Sequence, residues 1–83
     1  MYKVYILESL QNSKKRYIGH TQDLVNRIKR HNKGLVRSTK AYIPWKTIHT
    51  EIFDTKNEAY KRELQIKSYK SGEAFKKLIN KGG

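Results

Sequence analysis

Tyr2-Lys3-Val4-Tyr5-Ile6-Leu7, then Gln11-Asn12-Ser13-Lys14-Lys15, then Arg16-Tyr17-Ile18-Gly19-His20-Thr21: these three stretches near the start of the chain decide the fold. The outer two are rich in β-branched and aromatic residues, and the middle one is a polar turn, so the reading is an opening β-hairpin. A chain that opens on two consecutive strands cannot build the strand–helix–strand unit of a dinucleotide-binding fold. It also carries no Gly-rich phosphate loop, which argues against a nucleotide cofactor.

The remaining elements follow from local signals. Asp23 can cap a helix running to about Asn32 and stopped near Gly34. Its expected apolar stripe is Leu24, Val25 and Ile28, with Arg27 and His31 one turn apart on the flank and Lys29 and Arg30 pointing away. A polar basic loop covers residues 33–41. After Pro44, the segment from Trp45 to Phe53 alternates, with Ile48, Thr50 and Ile52 on one face and His49, Glu51 and Phe53 on the other. That pattern predicts a third strand. Thr55-Lys56-Asn57-Glu58 is a capping-box start for a second helix whose expected inward face is Ala59, Tyr60, Leu64 and Ile66. Ser71-Gly72 breaks it, and Ala74, Phe75, Leu78 and Ile79 mark a short last helix before a frayed Gly82-Gly83 end. The prediction is one α+β domain over residues 1–83, a small sheet covered by helices in the order β-β-α-β-α-α, with no internal repeat or linker.

Size and charge bound what such a domain can do. With 83 residues, folding buries only about 60 to 65% of the unfolded surface, enough for one modest core. There is no cysteine, which excludes disulfides and thiolate zinc sites and suits the cytoplasm. The longest apolar run, Val4 to Leu7, is far short of a membrane span. Nineteen Lys and Arg against seven Asp and Glu give a net charge of +12, and so large an excess on a small surface attracts polyanions, nucleic acid first among them.

Glu63 is the residue out of pattern. It lies four positions after Ala59 and three before Ile66, in the middle of the second helix's inward face. A carboxylate there must be paired to Lys or Arg, protonated, or bound to a metal ion. Cleaving a phosphodiester needs a cation against the phosphoryl oxygens, an activated water and usually a divalent ion on a hard carboxylate; Arg27, His31 and Glu63 are residue types suited to those needs.

With Val4-Tyr5-Ile6, Tyr17-Ile18-Gly19-His20-Thr21, Asp23-Leu24, Arg27, His31-Asn32, Gly34, Ser38-Thr39-Lys40, Pro44-Trp45 and Arg62-Glu63 in this order, the chain resembles a GIY-YIG nuclease domain, and more narrowly the small standalone GIY-YIG proteins of bacteria. The resemblance implies a central three-stranded antiparallel sheet flanked by helices, and metal-dependent cleavage of nucleic acid. By position it implies a site of Tyr5, Tyr17, Arg27, His31 and Glu63. Tyr5 and Tyr17 line the cleft, Arg27 contacts the scissile phosphate, His31 assists proton transfer or positions a partner, and Glu63 holds a single Mg2+ or Mn2+. Tyr5 is the expected proton acceptor, with Tyr17 on water or phosphate and the two roles exchangeable. A free tyrosine titrates at about 10, so either role as base calls for a lowered pKa, with Arg27 and the metal as the expected causes. Lys3 stands where the family name has its first glycine, a departure that removes no catalytic side chain.

Arg30, Lys33, Arg37, Lys40 and Lys46, interleaved with Tyr42 and Trp45, are the expected nucleic-acid contacts. Trp45, next to Pro44, reads more as core than as a stacking platform. Little protein is left over to read a long duplex site, so single-stranded or structured DNA is the expected substrate, in repair, recombination or mobile-element biology, with RNA the other polymer of matching chemistry. The expected state is a monomer or weak dimer. The competing reading is a nucleic-acid-binding module of the same fold with little or no turnover.

Overall fold

A computed structural model describes residues 1–70 and 72–80. The expectations for Ser71 and for Gly82-Gly83 lie outside those residues. The elements are β1 (Tyr2–Ser9), β2 (Arg16–Thr21), α1 (Leu24–Asn32), β3 (Trp45–Phe53), α2 (Lys56–Tyr69) and α3 (Glu73–Asn80), with a single 3-10 turn at Lys40–Tyr42. The sheet is antiparallel in the order β2-β1-β3. It is the α+β architecture predicted, and among the described residues no helix is long and apolar enough to cross a membrane.

Strand β1 sits in the middle, so it is covered on both faces. Val4, Tyr5, Ile6 and Leu7 are all fully buried, and the period-2 alternation of a strand divides them between two cores. Val4 and Ile6 pack with Ala59, Ile66 and Phe75 beneath α2 and α3. Tyr5 and Leu7 pack with Trp45, Tyr17, Leu24 and Ile28 beneath α1. Lys3 takes an ordinary paired place between Thr21 and Ile52.

The inward faces of the helices are rotated relative to the expected ones. On α1 the covered positions are Leu24, Ile28 and His31 at i, i+4 and i+7, while Val25 is 68% exposed. On α2 they are Ala59, Glu63 and Ile66, while Tyr60 and Leu64 are about half exposed. On α1 the polar His31 takes the covered place at the end of the stripe, and on α2 Glu63 holds the middle of the inward face as its position in the sequence indicates, while its apolar neighbours Tyr60 and Leu64 turn outward. Strand β3 also departs from strict alternation. Ile6 opposes His49 and Leu7 opposes Thr47, so Ile48 is the extra residue of a bulge. The bulge lets Ile48 join Phe53 against the α2 core and leaves Ile52 outside.

The caps are as read: the Asp23 side chain accepts from the Asn26 amide, Thr55 and Glu58 form a reciprocal capping box, and Gly34 takes φ +76° just past the end of α1. Asn32, the last residue of α1, clamps the helix to the start of β3. The Trp45 amide donates to Asn32 Oδ1 at 2.6 Å, and Asn32 Nδ2 donates to the Trp45 carbonyl at 3.2 Å. Trp45 is 5% exposed and its indole N–H donates to the Thr39 carbonyl, so it is core. Asn32→Ala leaves both backbone groups unpartnered and is expected to cost about 2 kcal/mol, a fall in Tm of roughly 10 °C. A thermal melt within a degree or two of the parent would show that the clamp contributes nothing.

Candidate functional site

Four of the five expected site residues meet under α1. Tyr5 projects from β1, Tyr17 from the neighbouring β2, and Arg27 and His31 from successive turns of α1. The Tyr5 and Tyr17 rings lie 6.1 Å apart, and the His31 ring is 5.9 Å from Tyr5 and 4.8 Å from Tyr17. Gly19 makes this approach possible. A Cβ there would stand 2.8 Å from the Tyr5 hydroxyl oxygen and 2.9 Å from a Tyr17 ring carbon, so the glycine is required by the two tyrosines packed over it.

The hydrogen bonds assign the protons. Thr39, buried beside His31, donates its hydroxyl to the Val36 carbonyl, which leaves Thr39 Oγ1 to accept from His31 Nδ1 at 2.8 Å. His31 Nε2 is then the acceptor, and the Tyr5 hydroxyl donates to it at 3.1 Å. The Tyr5 oxygen in turn accepts from Arg27 Nε at 3.4 Å. The chain runs Arg27 to Tyr5 to His31 to Thr39, with every donor used in one direction.

Burial sets the charge states of this chain. It pushes the Tyr5 phenol up to about 12; the hydrogen bond from Arg27 pulls the other way, as expected, but is outweighed. His31 is fully buried and pushed down to about 4, by burial first and then by the positive charges of Arg27 and Arg30. Arg27 is held still more firmly in its charged form, chiefly by its hydrogen bond to Tyr5. At neutral pH the chain from Arg27 to His31 therefore holds one cation, the Tyr5 phenol and one neutral imidazole. Of the two expected causes of a lowered Tyr5 pKa, Arg27 alone does not suffice, because a fully enclosed hydroxyl loses more from desolvation than one guanidinium returns.

Glu63 stands apart from these four, on the α2 side of the sheet. Its Oε1 is 2.6 Å from His20 Nδ1 and its Oε2 is 2.6 Å from Lys67 Nζ. The burial problem posed by this 8% exposed carboxylate is thus met by a protein ion pair. Both partners went unassigned in the sequence reading, although Lys67 follows Glu63 at the helical i+4 spacing that favours such pairs. His20 had no comparable signal, since its meeting with Glu63 depends on how α2 crosses β2. The negative charge of Glu63 still reaches Tyr5, where it is the smallest of the influences raising the phenol. Among the described residues no three His, Asp or Glu side chains converge as a metal cage. The hard oxygens of Glu63, with His20 beside them, are the donors on offer.

Arg30, Lys33, Arg37, Lys40 and Lys46 are all exposed along the segment from α1 to β3. Lys46 is 4.0 Å from Glu8. Tyr42 packs inward against the Tyr5 core, and Lys15 lies 5.2 Å over its ring. The loop's aromatics serve the fold rather than an open stacking surface.

Two outcomes test this geometry. Gly19→Ala is expected to displace the tyrosines, lowering stability by about 1–3 kcal/mol and altering the tyrosine near-UV circular dichroism; an unchanged spectrum and Tm would contradict the packing. His31 is neutral in the fold but protonates at its ordinary 6.5 when unfolded. Its contribution is therefore whole above pH 6.5 and lost as pH falls toward 4, by about 3 kcal/mol at most. Urea unfolding across that window should show a steeper decline for the parent than for His31→Gln, and parallel curves would refute the assignment.

Residues 1–77 match the GIY-YIG catalytic domain. A UPF0213 protein of Staphylococcus saprophyticus is 39% identical over 80 residues, covering 95% of this chain and 94% of the relative. One of Haloquadratum walsbyi is 40% identical over 67 residues, covering 80% of this chain and 73% of the relative. The solution NMR structure of a UPF0213 protein from Bacillus halodurans superposes with a TM-score of 0.53 at 30% identity, covering 98% of this chain and 84% of that one. These names state no substrate or metal, but the catalytic-domain match spans nearly the whole sequence and includes both tyrosines, Arg27, His31 and Glu63. The chain belongs to the GIY-YIG nuclease superfamily.

Proposed function

We propose that this protein is a metal-dependent endonuclease that hydrolyses phosphodiester bonds in DNA, preferring single-stranded or structured DNA. The observation that carries the reading is the hydrogen-bonded chain from Arg27 through Tyr5 to His31 and Thr39. It holds a permanent cation at the mouth of a desolvated cluster that contains no negative group of its own. A guanidinium fixed in that way is matched to phosphoryl oxygens, where charge grows during cleavage.

The tyrosines take different parts. The Tyr5 hydroxyl is enclosed, donates to His31 and accepts from Arg27, so it orients the arginine and keeps its proton. Tyr17 is only half-buried, and its hydroxyl takes the place expected for it on water or phosphate, whereas Tyr5 does not take the expected part of proton acceptor. His31 accepts the Tyr5 proton's hydrogen bond and holds the ring in register. Glu63 is the residue to hold a single Mg2+ or Mn2+, which when bound would stabilise negative charge on the phosphoryl and leaving oxygens. The donor set fits a hard cation carried by one carboxylate and otherwise by water and phosphate. Lys67, half exposed and bonded to Oε2, must swing aside to admit it. The exposed cations Arg30, Lys33, Arg37, Lys40 and Lys46 supply backbone contacts along the strand.

One observation favours the binding-module reading: Glu63 is already compensated by His20 and Lys67, so the fold does not require a metal. Cleavage of labelled single-stranded, duplex and branched DNA, and of RNA, with Mg2+ or Mn2+ decides between them. We expect product from single-stranded or branched DNA. We expect a loss of at least about 100-fold in Arg27→Ala and Glu63→Gln and none of the product in EDTA. Salt-sensitive binding without product from any polymer would establish the binding module instead.

A further inference from the structure

A second basic feature lies away from the tyrosine cluster. A cavity of about 280 Å³ opens between the hairpin and the ends of α2 and α3, lined by Lys14, Arg16, Ile18, Lys70 and Phe75. Three of its five lining residues are cationic. Arg16 is pre-positioned: its Nε donates to Glu8 at 3.2 Å and its guanidinium lies 5.3 Å over the Phe75 ring. Lys14 and Lys70 are exposed, and among the described residues neither takes part in an ion pair.

Lys70 carries an independent mark. It caps the end of α2 at φ 53°, in the left-handed region where glycine is at home and a side chain is disfavoured. After α1 the cap residue Lys33 keeps a negative φ and the positive φ falls one position later, on Gly34. The backbone there gains nothing from a side chain, and the one present lines the cavity.

The position of the cavity indicates what it binds. Arg16, Ile18 and His20 alternate onto the same face of β2, and His20 holds Glu63. Four residues of strand separate Arg16 from His20, about 13 Å, so the cationic end of the cavity is displaced along β2 from Glu63 and would meet a different phosphate from the one Arg27 and Glu63 would hold. We propose that Lys14, Arg16 and Lys70 form a separate phosphodiester subsite, which grips a non-scissile phosphate of a single strand running along β2. The fork of Arg16 fits phosphate oxygens and the two lysines supply point charges. The inference rests on the reading of single-stranded nucleic acid as partner, but not on turnover.

The test is therefore made without cleavage, on Glu63→Gln protein in EDTA with a fluorescent single-stranded oligonucleotide. Adding Lys14→Glu and Lys70→Glu should weaken binding at least tenfold and lower the slope of log affinity against log salt by about 1.4, two phosphate contacts' worth. Lys56→Glu with Lys61→Glu, the same change in charge elsewhere, should do less. Equal losses from both pairs, or none from the first, would overturn the subsite. Should the glutamates unfold the protein, Lys14→Gln with Lys70→Gly replaces them. Lys70→Gly alone should raise the Tm while weakening binding, a pair of opposite signs that a structural lysine would not give; unchanged binding would overturn the role assigned to it. Chemical shifts at Lys14, Arg16 and Lys70 moved by inorganic phosphate as readily as by the oligonucleotide would make this a free-phosphate site and also overturn the proposal. Cleavage that survives in the Lys14 and Lys70 variants at undiminished affinity would leave the nuclease reading standing while removing the subsite.

Discussion

Strand β1 is covered on both faces, and the rest of the molecule is arranged around that constraint. A three-stranded sheet in a chain of this size has one interior strand, and all four residues from Val4 to Leu7 are removed from water. Strict alternation then commits Val4 and Ile6 to the α2–α3 core and Tyr5 and Leu7 to the α1 core. A register slip of one residue would exchange these sets and place the Tyr5 hydroxyl among hydrocarbon with no partner. The hydrogen bonds from Arg27 to Tyr5 and from Tyr5 to His31 thus help to fix the strand as well as the site.

The fold was legible wherever it depended on short-range chemistry. The polar turn, the Asp23 and Thr55 caps and the alternation of Trp45 to Phe53 each name an element, and each element forms. What could not be read were choices made by packing. The side of α1 that turns inward is set by Tyr5, whose hydroxyl needs His31, and this rotates Val25 out into water. The side of α2 that turns inward is set by His20, which bonds Glu63 and leaves Tyr60 edge-on to the imidazole at 6.1 Å. The alternating pattern groups Ile48 with Ile52 and opposite Phe53 because the pattern does not reveal the bulge, which sets Ile48 with Phe53 instead. In all three cases a polar partner or an irregular register, reached across tens of residues, outweighed local hydropathy.

The candidate site shows the same division. Its membership follows from residue types and order along the chain, which is how the superfamily is recognised. Its charge states do not, because they depend on enclosure. Tyr5 and His31 are driven toward their neutral forms by the same burial that aligns them, and among the described residues no enclosed side-chain polar atom lacks a hydrogen-bond partner. Thr39 completes that account by fixing the His31 tautomer, a role that cannot be inferred from a lone threonine in a basic loop.

The two halves of the site lie on opposite faces of the sheet, which raises the question of how one phosphate could meet both. The edge strand β2 supplies the answer. Gly19 faces the tyrosines and His20, the next residue, faces Glu63, so a single peptide step separates the two environments. Gly19 adds no side chain to that rim, and β2 has no further strand beyond it. A substrate of the proposed kind that approached edge-on would meet Arg27 and Tyr17 on one side and Glu63 on the other without entering either core. An approach over either face would have to displace α1 or α2. On the function proposed above, the edge of β2 is the path that would bring a narrow, flexible strand past both environments, and a single strand can follow such an edge more closely than a stiff duplex.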